Sequence, residues 1–356
     1  MTDIASMRFG FAIPIFANPG VVDVRTPSFE QLEWAPILSA VQESEALGYD
    51  SIWVADHMFL GHDGAILEGW TTLCVLAGAT NKVRLGNIHL GNGFRWAPLT
   101  AKMAATLDFV SGGRFEFFID PGWREREHVA YGFEWEPDRA IRARQVGEAI
   151  QMTRQMWIGE PVDFDGTYYS LDRAINTPRP VREGGPRVWI GEAFDDATLD
   201  LVATYADVWN SMPAGVEVLR EKIARVDDAC LKRGRDPGTL EKTLETQVLI
   251  VDSDAEWQEW LDRWAALRQA HPTGEAMADF FEFVKSTNPQ LTEGVDPDRL
   301  KEEFVIGTKD EVIDKLRAYQ ELGITEVICW FMDFPESTTM RRLATEVRPA
   351  LEVGRG

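Results

Sequence analysis

The sequence predicts an α/β protein, a (β/α)8 TIM barrel with an inserted hairpin and a helical insertion before its last strand. Three observations point there. Short apolar, β-rich runs recur along the chain, stretches of 3.6-residue period separate them, and glycines close two of those stretches just ahead of the next run. The runs span 9–15, 51–54, 83–88, 114–119, 187–190, 208–210, 243–251 and 326–331, eight in all. Helical periodicity covers 31–47, with apolar positions at Leu32, Ile37, Leu38, Val41 and Ala46, and then 101–110, 138–157, 196–205, 216–233 and 309–322. Gly48 and Gly323 follow the first and last of these helices and read as left-handed C-caps.

Eight parallel strands with helices between them place any chemistry at the strand C-terminal ends. A doubly wound open sheet is the structural alternative. The 356 residues exceed the roughly 100–200 expected of one domain, yet barrels of this kind run longer, so the whole chain, 1–356, reads as a single barrel domain. Two insertions interrupt the alternation. Around 160–186, apolar and polar residues alternate about Asp165-Gly166, a hairpin signal. From about 254 to 299 the chain is rich in Trp, Phe, Ala and charge, as expected of extra helices that form a lid or a dimer surface.

Composition removes several classes of function. Lys+Arg 36 against Asp+Glu 58 gives a net charge of −22, which opposes a phosphate backbone and argues against nucleic acid as a partner. The content is 45% hydrophobic and 26% charged, ordinary for a globular chain. The three cysteines, Cys74, Cys230 and Cys329, have neither metal nor redox-motif spacing and fit buried thiols of a reducing cytoplasm. No apolar run approaches the roughly 20 residues that cross a bilayer, and the N-terminus lacks a signal pattern, so a cytoplasmic protein without a membrane partner is expected.

Candidate chemistry starts at the second strand, which ends in Asp56-His57. These are two proton-active side chains at a barrel rim, and His57 is of the type whose charge changes near neutral pH. A rim histidine held by its neighbouring carboxylate is the bland alternative. Asp56, His57, His62 and Asp63 include metal-ligand types, but no third histidine ends another strand, and no metal is expected. The third strand runs into a glycine-rich turn with Asn87, Ile88 and His89 at or near the rim. Gly86, Gly91 and Gly93 there allow close backbone approach, as any tight turn would.

A longer phrase is more specific: Pro98, Ala101-Lys-Met-Ala-Ala-Thr-Leu-Asp108, Ser111-Gly-Gly-Arg114, Gly122-Trp123, Glu127-His128 and Tyr131-Gly132. With Val188-Trp-Ile-Gly191, Tyr205-Ala-Asp-Val-Trp-Asn210 and Gly307-Thr-Lys-Asp-Glu-Val312, it closely resembles the bacterial-luciferase-like family of flavin- or deazaflavin-dependent oxidoreductases. The resemblance spans nearly the whole chain outside 254–299. It implies a barrel that binds a reduced flavin or deazaflavin across the strand C-termini, with substrate above the ring. Position by position it implies His57, with Asp56, beside the reactive part of the ring and His89 as a second catalytic candidate. Asn87, Ile88 and His89 would support the ring's back face, His128 and Tyr131 would contact the cofactor's tail, and Gly191 with Glu192 would form the phosphate turn.

Departures from the family pattern also bear on function. Family members carry glycines in the fourth strand where this chain has Phe118 and Asp120. The turn after Gly191 reads Glu192-Ala-Phe-Asp-Asp196, whose carboxylates repel a phosphate or else cap the next helix. Trp123 stands where deazaflavin dehydrogenases often have a glutamate, and Trp96 replaces a polar residue. Phe118, Asp120, Trp96 and Trp123 are therefore expected to line a substrate pocket, and the many tryptophans favour a hydrophobic or aromatic substrate or, more simply, barrel packing. The leading expectation is a monooxygenase using reduced FMN and dioxygen, with FMN supplied by a separate flavin reductase and a homodimer as the plausible assembly. The alternatives are a deazaflavin coenzyme with reductase or dehydrogenase chemistry, and a barrel that has lost its cofactor and acts as a binding protein.

Overall fold

The computed structural model describes residues 6–353 except 24, 194, 273, 275–277, 279–281 and 283–295. Eight strands close into a parallel barrel: β1 Arg8–Ile13, β2 Ser51–Val54, β3 Arg84–Asn87, β4 Phe115–Asp120, β5 Val188–Ile190, β6 Val208–Ser211, β7 Glu241–Ile250 and β8 Ile324–Phe331. Each pairs with the next, and β8 returns to β1 with Phe9 opposite Val327. These are the eight runs expected from the sequence, with ends shifted by a few residues. A further short strand, Val305–Gly307, pairs with the outer part of β7.

The helices that matter for the site are α1 Trp34–Ala46, α2 Gly69–Ala79, α3 Ala97–Ser111, α4 Glu125–Tyr131, α5 Arg139–Met156, α6 Asp196–Tyr205 and α7 Val216–Lys232. Gly48 and Gly323 take φ of 82° and 88°, the left-handed caps expected of them. Helix α6 starts on a capping box: Asp195 accepts the Thr198 N–H at 2.8 Å, and the Asp195 N–H donates to the Thr198 hydroxyl at 3.2 Å. The hairpin forms from Val162–Asp165 and Ser170–Ala174. Of the expected helical insertion, α8 Asp254–Ala270 and a short helix, Pro297–Glu303, are seen, and most of what lies between them falls outside the described residues. No described helix is long and apolar enough to cross a membrane.

Side chains fill the barrel in two unlike layers. At the strand N-terminal ends, Glu116 and Glu326, both 0% exposed, sit in a ring of arginines. Glu326 binds Arg84 at 2.5 Å and Arg8 at 3.2 Å, and Glu116 faces Arg182 and Arg187, each at 3.3 Å. Burial works against the Glu326 charge, but Arg84, Arg8 and the Ser51 hydroxyl outweigh it and hold the carboxyl below its ordinary range. Above this ring lies an aromatic layer. Trp53 meets Trp189 at 4.7 Å and Phe118 at 5.9 Å between centroids. A Cβ at Gly86, which faces Trp53 across the sheet, would overlap that indole, so the glycine is what lets so large a ring lie there.

Candidate active site

A cavity opens above the aromatic layer, at the C-terminal ends of the strands. Strand β2 delivers Asp56 and His57 to it. The two side chains part company at once. Asp56 is buried and accepts both arms of Arg95, at 2.7 and 2.9 Å, together with the Gly91 N–H at 3.0 Å. It thereby pins the turn after β3 and leaves the imidazole to another group. The carboxylate that holds His57 is Glu127 of α4, whose Oε2 lies 2.8 Å from His57 Nδ1, so the sequence-adjacent pairing gives way to a long-range one.

Glu127 is fully buried. Its other oxygen accepts the N–H groups of Met58 and Phe59, at 3.0 and 3.2 Å, and an Arg124 guanidinium N–H at 3.2 Å. Burial alone would raise this carboxyl. The His57 ring, Arg124 and the backbone N–H of Phe59 reverse that and lower it, which keeps it ionised at neutral pH. Trp123 closes the other side of the imidazole, its ring edge-on at 5.8 Å.

The third strand ends at Asn87, and a cis peptide joins Ile88 to His89. His89 stacks on Phe118 at 4.4 Å and lies over Gly191, where a Cβ would come 3.2 Å from Nε2. That Nε2 is buried and has no hydrogen-bond partner, while Nδ1 lies 3.6 Å from Asp120, too far for a hydrogen bond. Asp120 instead accepts the Gly122 N–H at 2.7 Å. His128 is buried between Phe94 and Trp135, each 4.7 Å away. Its Nδ1 must be the protonated nitrogen, since it donates to the Arg124 carbonyl at 3.0 Å, and burial lowers its pKa and keeps the ring neutral.

Several expected site residues stand elsewhere. Side chains alternate along a strand, and because Gly86 faces the barrel interior, Asn87 turns outward to the start of α2, where its amide is buried beside Gly69 without a partner. Phe118, 1% exposed, lies beneath His89 as part of the aromatic layer, whereas Asp120, two residues on, reaches the cavity. Gly191 is roofed by His89. Trp96 is 62% exposed and packs on Tyr169 at the outer surface. Tyr131, at the last turn of α4, is 56% exposed and donates to the Met58 carbonyl outside the cavity wall. Trp53, Trp189, Trp209 and Trp330 are buried core, so among the rim tryptophans only Trp123 meets the cavity.

At the far side, Glu192 lines the cavity with its charge already matched: Lys222 of α7 lies 2.8 Å away, and the Met212 N–H donates at 3.1 Å. Asp195 is occupied by its cap and by Arg139 at 3.3 Å. Residues with no earlier assignment complete the wall. Arg25 reaches over from the loop after β1, lies 4.8 Å above the Trp330 ring and pairs with the buried Glu245 of β7 at 3.3 Å. Neither Arg25 nor Glu245 belongs to a local motif that would have marked it. Glu127 was present in the Glu127-His128 phrase, but only the three-dimensional placement shows what it holds.

The sequence profile of the luciferase-like monooxygenases matches residues 7–326. The chain belongs to this family of oxidoreductases. Among similar proteins is the F420-dependent glucose-6-phosphate dehydrogenase of Microbacterium testaceum, 26% identical across 86% of this chain and 90% of that protein. Another is the phthiodiolone/phenolphthiodiolone dimycocerosates ketoreductase of Mycobacterium tuberculosis, 26% identical across 99% of both chains. The fold is shared with an F420-dependent secondary alcohol dehydrogenase, solved with an F420-acetone adduct (TM-score 0.75, 22% identity, 98% of this chain and 99% of that one). It is also shared with a long-chain alkane monooxygenase (TM-score 0.78, 14% identity, 99% and 92%).

Proposed function

We propose that this luciferase-like oxidoreductase interconverts an alcohol and a ketone on a hydrophobic small molecule, with a deazaflavin coenzyme as its hydride carrier. The observation that carries the reading is His57. It stands on the cavity wall with Nδ1 engaged, so Nε2 is the ring atom open to a substrate. Oxidising an alcohol releases a proton from oxygen and a hydride from carbon, and a histidine suits the proton because its pKa lies near neutrality.

The wall suits a flat heterocycle. Ile88, Phe94 and Trp123 offer apolar surface for it. Gly93 lets the backbone pass where a Cβ would lie 2.5 Å from His128 Nε2. A bound deazaflavin supplies two-electron hydride chemistry. The protein's part is to orient the substrate carbon, keep water out behind Trp123, and take or return the proton at His57. The dehydrogenase relative named for F420 favours this carrier, and the ketoreductase relative favours carbonyl–alcohol chemistry.

The second reading is a monooxygenase that uses reduced FMN and dioxygen. Trp123 favours it, since deazaflavin dehydrogenases often place a glutamate there. Incubating the protein with a series of secondary alcohols and oxidised F420 under argon, and in parallel with reduced FMN in air, separates the two. Substrate-dependent F420 reduction without oxygen supports the proposal, whereas turnover only with FMN and dioxygen replaces it with the second reading. His57→Asn is expected to lower kcat by about 10²-fold or more while leaving coenzyme affinity in place.

A further inference from the structure

We propose that Glu127 is the positioning residue of the site: it fixes which nitrogen of His57 carries the proton and so makes Nε2 the base that faces substrate. The inference rests on the reading of His57 as the proton carrier and adds the group that makes it competent.

The argument is one of donors and acceptors. A backbone N–H and a guanidinium can only donate, so the oxygen of Glu127 that meets Met58, Phe59 and Arg124 must accept from all three. The neighbouring oxygen, 2.8 Å from His57 Nδ1, belongs to the same ionised carboxylate, held below its ordinary pKa. It can only accept as well. His57 Nδ1 must therefore carry hydrogen, and the neutral ring keeps its lone pair on Nε2. Among the described residues Glu127 supplies the one hydrogen bond to this ring. Asp56, next to His57 in sequence, is spent on Arg95 and Gly91.

Consider alcohol oxidation on this arrangement. His57 Nε2 would take the O–H proton as the C–O bond becomes C=O, and a deazaflavin held against Ile88, Phe94 and Trp123 would supply the acceptor for the C–H hydride. The imidazolium so formed lies against a buried negative charge that stabilises it without taking the proton, as a triad carboxylate does. Ketone reduction runs the same path backward.

Glu127→Gln tests the idea with almost no change in shape. The three donors at one end require the amide oxygen there, which turns the amide NH2 toward His57 Nδ1. That nitrogen must then accept, the hydrogen moves to Nε2, and the base is lost. In the coenzyme-free protein, 15N NMR of the histidine rings, assigned with His57→Asn, should show Nδ1–H in the wild type and Nε2–H in E127Q. In the loaded enzyme, E127Q should lower kcat by about 10²-fold with little change in KM, and adding E127Q to H57N should cost nothing further, because both changes remove one function.

An Nε2–H tautomer in the wild type overturns the proposal, and so does an unchanged tautomer in E127Q. Losses that multiply in the double variant also overturn it, and would leave Glu127 as a staple for the 58–59 backbone only. The wild-type spectrum decides even if E127Q folds poorly. Should H57N keep full turnover while the tautomers behave as described, the proton-carrier reading fails and the positioning geometry stands.

Discussion

Asp333 follows β8 into the turn above the barrel, is 2% exposed and accepts the Thr339 N–H at 2.8 Å through one oxygen. Its other oxygen is buried without a partner. Burial dominates the hydrogen bonding, and the carboxyl is pushed up to about 7. A raised acid binds its proton more tightly in the folded chain than in the unfolded one. Stability is therefore full below about pH 4, the unfolded value, and declines as the pH climbs toward 7. The thermal midpoint should fall by a few degrees between pH 5 and 8, and Asp333→Asn should remove most of that fall. Equal slopes in the two proteins would refute this assignment. At the same scale lies the lesson of Asn87 and Phe118. The motif puts both at the site; alternation turns Asn87 outward, whereas Phe118 shares the inward face of Asp120 and lies one layer below it because it comes two residues earlier on β4.

The elements were legible in the sequence to different degrees, for physical reasons. Strand β8 announces itself because barrel strands are buried on both faces and residues 327–331 read as a continuous apolar run, while β7 carries the buried polar residues Glu245, Thr246 and Gln247 and shows mainly through residues 248–250. Helix α7 shows because one face is wet. Helix α2 does not show: its segment, with Thr71, Thr72, Cys74 and Val75, lacks a clean polar face, and its N-cap is Glu68, an unusual capping residue. Helix α4, seven residues long, is too short for a period, yet it carries Glu127 and His128. The start of α6 had two readings, a phosphate turn spoiled by carboxylates or a capped helix, and the geometry gives Asp195 the cap. Replacing Asp195 with Ala should cost about 1 kcal/mol in denaturant unfolding, with Asp195→Asn near neutral. A loss of similar size for Asn would mean that the Arg139 pair, rather than the cap, carries the stability.

Across the whole molecule the two ends of the barrel divide their labour. The N-terminal end holds buried carboxylates in an arginine ring and serves stability, and the C-terminal end carries His57, His89 and the cavity. Glu326→Ala would take away the buried carboxylate that Arg84 and Arg8 share, leaving Arg84 with Glu116 at 3.6 Å and Arg8 with Glu241, which should cost about 1–3 kcal/mol. Any protein that remains folded should turn over substrate at close to the wild-type rate. A selective loss of kcat with stability unchanged would contradict this division. Between the two ends, Trp53, Phe118 and Trp189, each no more than 1% exposed, form a dry cork across the barrel axis. With that axis stoppered, the proposed proton at His57 would have no exit downward toward the carboxylates of the base, and its way to solvent would be the doorway by which substrate arrives.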